Sequence, residues 1–170
     1  MSAPADESPD DVRAVTLALR HLVKSGEEFR LARALQLHLG RNDLAALTAL
    51  CEEEPLTPRD LARRMEMTSG TITPLLDRVE RAGYVTRNSN PDDRRSLLIA
   101  LTEAGRQAVE WVNEEFDTAI NDVIATMSKS GTEELASTLE HLSVALEERI
   151  AEPAVAVPPA VDPSSGPHAV

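Results

Sequence analysis

The segment SGTITPLLDRVERAG, Ser69–Gly83, decides how the chain is read. From Ile72 onward its apolar residues recur at helical spacing. It opens, however, on Gly70, Thr71, Thr73 and Pro74, which suit a helix interior poorly. At about 100° per residue, Ile72, Leu75, Leu76, Val79 and Ala82 gather on one face and are expected in a core. Gly70, Thr73, Pro74, Asp77 and Arg81 gather opposite, with Arg78 at the margin. Two starts fit this pattern. A helix beginning at Thr68 or Ser69 puts Pro74 in the second turn, its ring against the Gly70 carbonyl. A helix beginning at Thr71 puts Pro74 in the first turn, where it loses nothing.

Upstream, Thr57-Pro58-Arg59-Asp60 is a helix start: Thr57 caps, Pro58 takes the first helical position and Asp60 answers at the third. A short helix over 58–66, a tight turn without glycine and the helix above make a helix-turn-helix. Downstream, Gly83 reads as the residue past the helix end. Tyr84–Arg87 and Ser96–Leu101 have strand character and are joined by the turn-rich loop Asn88–Arg95. Thr102 caps a further helix. Two strands with a basic loop directly after a helix-turn-helix make a winged helix.

Helices flank this unit. The first starts near Asp10 or Asp11, carries Val12, Val15, Leu19 and Leu22 at three- and four-residue steps, and is loosened at Gly26. Asn42 is expected to cap a short helix with Leu44, Leu47, Leu50 and Cys51 on one face. Beyond the wing, Val109, Val112, Phe116, Val123 and Met127 stripe a long helix. A last helix opens at Thr132 with the seam Leu135, Leu139, Leu142, Leu146 and Ile150. That narrow seam suits a helix–helix dimer contact, or packing against the first helix. The chain therefore divides into a disordered N-terminus (1–10), N-terminal dimerisation and support helices (11–54), a winged helix-turn-helix (55–102), C-terminal dimerisation helices (103–151) and a disordered Pro/Ala-rich tail (152–170). The fold class is mainly α with a two-stranded β wing.

Aromatic residues make up only 2 % of the chain and hydrophobic residues 42 %, so the core must be aliphatic. One cysteine excludes an intramolecular disulfide and a CxxC metal knuckle. No apolar run approaches the roughly 18 residues of a membrane span, and the acidic, Pro-containing start is unlike a signal peptide. A cytoplasmic location is expected. No His/Asp/Ser constellation, Gly-rich phosphate loop or metal-spaced ligand set points to an enzyme or a cofactor.

Net charge is −12, which argues against nucleic acid, but its distribution does not. Residues 55–102 hold eight arginines against six acids and form the only positive third. A local basic face can bind phosphate while an acidic remainder keeps the protein in solution. The N-terminal end of the second helix of a helix-turn-helix meets base edges in the major groove. Ser69, Gly70, Thr73 and Pro74 offer closeness, hydroxyls and methyl-sized contacts there. Arg78 and Arg81 follow at phosphate reach. In the loop, Arg94 and Arg95 suit a narrow minor groove, with Asp92 or Asp93 holding an arginine through a carboxylate–guanidinium pair. Read alone, Ser69 and Thr71 are ordinary capping residues, and the loop pair an ordinary surface ion pair.

The run from Leu61 through SGTITPLLDRVERAGYVTR to PDDRRSLLIALTEAG resembles the MarR family of bacterial winged-helix transcription regulators. The resemblance is sharp over 55–105 and architectural over the rest of 10–150. It implies a homodimer on double-stranded DNA at a pseudo-palindromic site. It also implies repression relieved by a small effector in a cleft between the dimer helices and the winged helix. The positions it assigns to DNA are Ser69, Gly70, Thr73, Pro74, Arg78, Arg94 and Arg95. SGTITPLL is similar to the organic-hydroperoxide-sensing branch, which senses through a cysteine in the first helix. No cysteine lies there; Cys51 is read as core, so oxidant is not expected to release DNA. His21, His38 and Trp111 could line an effector cleft or simply pack. The competing function is a winged-helix protein–protein adaptor whose acidic surface excludes DNA.

Overall fold

The cap at Thr57 forms as the sequence requires: its hydroxyl oxygen accepts from the Asp60 N–H at 3.1 Å and donates to the Asp60 carboxylate at 2.6 Å. In the computed structural model, residues 9–91, 93 and 95–152 are described. The elements are α1 (Pro9–Gln36), α2 (Arg41–Glu52), α3 (Pro58–Arg64), α4 (Ser69–Arg81), β1 (Val85–Ser89), β2 (Leu97–Leu101), α5 (Glu103–Ile124) and α6 (Lys129–Ala151). They divide into two compact units, the first ending at Asn121 and the second starting at Asp122.

In the first unit the glycine-free turn between α3 and α4 is made by Glu66, which takes a left-handed φ of 54°. That conformation lets the Met67 N–H reach back to the Ala62 carbonyl at 2.8 Å and close the end of α3. Helix α4 then begins at Ser69, with Thr68 as its N-cap. Pro74 therefore sits inside the helix, in the second turn, and the Gly70 carbonyl lacks its usual donor. Ile72, Leu75, Leu76 and Val79 are buried as expected, but Ala82 is exposed, because the helix has already ended at Arg81. Gly83, at φ +83°, turns the chain into β1.

The wing is antiparallel, in register from Val85 opposite Leu101 to Ser89 opposite Leu97. Leu56 adds a short third rung, exchanging backbone hydrogen bonds with Ile99 at 3.2 and 2.8 Å. Glu54 anchors the same edge: one carboxylate oxygen accepts from the Leu101 N–H at 2.6 Å, the other from Arg106 at 2.5 Å. The core joins Leu47 and Leu50 of α2, Leu61 of α3, the inner face of α4, Ile99 of β2 and Val112 of α5. The support helix and the winged helix thus share one aliphatic interior.

Several local expectations need correction. Helix α1 runs through Gly26 without a break. Helix α2 is capped not by Asn42 but at Gly40, whose N–H is taken by Asp43 at 3.0 Å. Cys51 is exposed, since it lies in the last turn of α2, where that helix leaves the core. In the second unit α6 begins at Lys129, not Thr132. Ser128 caps it, accepting from the Gly131 N–H at 3.1 Å, so Gly131 falls in the first turn. None of its described residues is buried, and Leu135, Leu139, Leu146 and Ile150 lie open.

Candidate nucleic-acid interface

Ser69, Gly70, Thr73 and Pro74 are all exposed at the N-terminal end of α4. Thr68 and Thr71 share a hydroxyl–hydroxyl hydrogen bond of 2.9 Å, and Thr73 donates back to the Ser69 carbonyl at 3.1 Å. The hydroxyls are thus held locally while their remaining valences face solvent. A Cβ at Gly70 would meet only the Thr68 hydroxyl, 3.8 Å away. Packing against other side chains does not demand glycine here.

The described arginines of the winged helix sort into two groups. Arg63 pairs with Asp60, Arg64 with Glu52 and Glu53 at 2.5 and 2.7 Å, and Arg87 with Asp77 and Glu80 at 2.6 and 3.2 Å. Arg78 reaches Asp43 of α2 at 2.6 Å. By contrast, Arg59, Arg81 and Arg95 are exposed and have no acidic partner among the described residues. Arg59 was not singled out from the sequence, yet it and Arg95 line one concave surface between the start of α3 and the wing. Its signal was faint: an arginine in the first turn of a capped helix looks like an ordinary surface residue. Asp43 was missed as well. Its role depends on a partner 35 positions away, which no local pattern reveals.

In the wing loop Asp93 works through the backbone. Its carboxylate accepts from the Arg95 N–H at 3.0 Å, and its carbonyl accepts from the Ser96 N–H at 2.9 Å. Asn90 closes the loop by donating to the Ser96 hydroxyl at 2.9 Å. Asp92 and Arg94 lie outside the described residues.

A second concavity lies among α1, α2 and α3, lined by residues that include Arg30, Arg41, Leu44, Thr48, Met65 and Met67. His21, His38 and Trp111 do not line it.

A tight helix-turn-helix, a two-stranded wing and a polar, unencumbered helix end define a winged helix-turn-helix protein. The MarR family pattern matches residues 39–97. The transcriptional regulator SarZ of Staphylococcus saprophyticus is 41 % identical over 85 residues, which are 46 % of this chain and 58 % of that protein. SarZ of Staphylococcus haemolyticus is 32 % identical over 110 residues, covering 62 % of this chain and 74 % of that one. A variant of S. aureus MepR, solved bound to an oligodeoxyribonucleotide, matches with a TM-score of 0.62 at 22 % identity, over 78 % of this chain and 97 % of that one. This chain belongs to the MarR family. No described helix is long and apolar enough to cross a membrane.

Proposed function

We propose that the protein is a homodimeric, sequence-specific DNA-binding transcription regulator that represses from a pseudo-palindromic promoter site. The observation that carries this reading is the end of α4. Ser69, Gly70, Thr73 and Pro74 are exposed there with no packing task, and among the described residues three unpaired arginines, Arg59, Arg81 and Arg95, stand on the same winged helix. Phosphate contacts from these arginines, joined by Arg78 and Arg94, set the register, and the α4 end reads the major groove. Family membership and the relatives named as transcriptional regulators support it.

Dimerisation is supported by apolar side chains that each unit leaves open: Val12, Val15 and Leu22 on α1, and Leu139, Leu146 and Ile150 on α6. A second copy covers them and sets two recognition helices at a fixed spacing, as a palindromic half-site pair requires. The concavity among α1, α2 and α3 takes the releasing effector: its lining carries both signs of charge, Arg41 being paired with Glu27 at 3.4 Å, and Leu44, Met65 and Met67 receive an apolar body.

Gel shift with duplexes selected from random sequence by the purified protein tests this reading. Binding that weakens steeply with salt is expected. Failure to retain any duplex at low salt refutes it in favour of a protein-binding adaptor.

A further inference from the structure

Asp43 is the only charged or polar residue among the described residues that is buried, at 6 % exposure. Both of its carboxylate oxygens are committed. One accepts from the Gly40 N–H at 3.0 Å, the other from Arg78 Nη2 at 2.6 Å. Gly40 leaves room for this: a Cβ there would stand 3.3 Å from the carboxylate. The arrangement differs from the other arginine pairs of the winged helix. The acids holding Arg63, Arg64 and Arg87 have side chains 38 to 66 % exposed, whereas that of Asp43 is 8 % exposed. Arg78 itself remains 53 % exposed: Nη2 is fixed on Asp43, while Nη1 makes only a long 3.5 Å contact with the Pro74 carbonyl and is otherwise open to solvent.

A buried ion pair is not in general more stabilising than a well-packed apolar pair. Its specific effect is orientation. A guanidinium is a planar fork that recognises phosphate through two parallel N–H groups, and it binds best when the fork is already aimed. A surface carboxylate cannot aim it, because both side chains wander. A carboxylate locked in the first turn of α2 by a backbone hydrogen bond can.

We infer that Asp43 is a positioning residue for DNA binding: it aims the exposed edge of Arg78 at a phosphate beside the groove that receives the start of α4. This rests on the DNA-binding reading above. The inference gives the buried acid a consequence that a purely structural role does not. Asp43→Asn keeps an acceptor for the Gly40 N–H but releases Arg78 and adds one positive charge to the surface. Binding to the selected site should fall at least tenfold, while binding to random duplex of equal length holds or rises. Arg78→Lys keeps the charge and a partner for Asp43 but lacks the fork, and should lose a similar factor on the selected site alone. The double variant should lose no more than either single one.

Wild-type and variant proteins are titrated against both duplexes, with thermal melts without DNA to establish that each is folded. Failure of the wild type to bind either duplex sinks the DNA reading and this inference with it. If the wild type binds, the inference is overturned by an unchanged ratio of selected to random affinity in Asp43→Asn, by an equal loss on both duplexes, or by additive losses in the double variant.

Discussion

Replacing Gly105 by alanine sets two physical effects in opposition. Gly105 lies in the first turn of α5, and intrinsic propensity favours alanine in a helix by up to about 1 kcal/mol. A Cβ at this position, however, would stand 2.1 Å from the Tyr84 carbonyl oxygen and 3.1 Å from both the Tyr84 carbonyl carbon and a Leu101 methyl. The main obstacle is backbone, so no rotamer change relieves it. Ordinary contact begins near 3.4 Å, so the start of α5 must retreat by more than 1 Å. That retreat strains the hydrogen bonds fastening the helix to the α4–β1 corner: Thr102 N–H to the Tyr84 carbonyl at 3.0 Å, and the Thr102 hydroxyl to the Gly83 carbonyl at 2.7 Å. Overpacking costs about 1–3 kcal/mol and each weakened hydrogen bond up to about 1 kcal/mol. With the middle of each range set against the full propensity gain, the net loss is about 2 kcal/mol. For a unit of this size that lowers the melting temperature by roughly 10 °C. Circular dichroism melts of wild type and Gly105→Ala measure it. A variant that melts within about 2 °C of wild type, or above it, refutes the argument that backbone contact outweighs propensity here.

Other perturbations probe other parts of the molecule. Leu61→Ala removes a fully buried side chain from the centre of the core and should cost about 2–5 kcal/mol by chemical denaturation. Arg59→Ala and Arg95→Ala should each lower the slope of log affinity against log salt by about one phosphate contact, with stability nearly unchanged, whereas Arg64→Ala should alter the slope less because Glu52 and Glu53 already hold that charge. Cys51→Ser changes an exposed side chain and should leave stability within about 0.5 kcal/mol. With Cys51 exposed, burial no longer argues that it is inert, so the same variant should be assayed for DNA release by organic hydroperoxide: release lost in Cys51→Ser would assign sensing to this thiol.

The winged helix was legible because its punctuation is local. Thr57 and Pro58 fix one helix start, Gly83 fixes one helix end, and the short apolar run before Thr102 fixes a strand. The start of α4 was not legible to the residue, since Ser69 and Thr71 both read as capping residues and Pro74 fits either start; Thr68 takes the N-cap position, its hydroxyl bonded to that of Thr71 and not to a backbone N–H. The burial of Cys51 was misread because a helical wheel gives the direction of a side chain and not whether anything stands opposite it. The pairing of Asp43 with Arg78 was out of reach for a different reason: it joins two helices whose relative placement is set by the whole core.

The same limit applies to charge, and it alters the weight of the objection to DNA. Counting along the chain gives the winged helix a small excess of arginine, too little to settle anything. The fold redistributes that count. Arg64 and Arg78 are neutralised by Glu52, Glu53 and Asp43, which lie outside the segment, while Asp77 and Glu80 converge on Arg87, which is largely covered. What is open to a phosphate is therefore not the segment's sum but the arginines left unpaired when these pairs are closed, together with the exposed edge of Arg78. Among the described residues Arg59 and Arg95 are left over on one concave face, and Arg81 on α4. Because exposed charges are screened beyond about 8 Å at physiological salt, a net −12 spread over the chain does not decide binding at such a face. Reversing Arg59 to glutamate should therefore weaken DNA binding far more than reversing the exposed Arg149 of α6 to glutamate, although both change the net charge by the same amount. Equal effects from the two would show that the overall field, not the local face, governs the encounter.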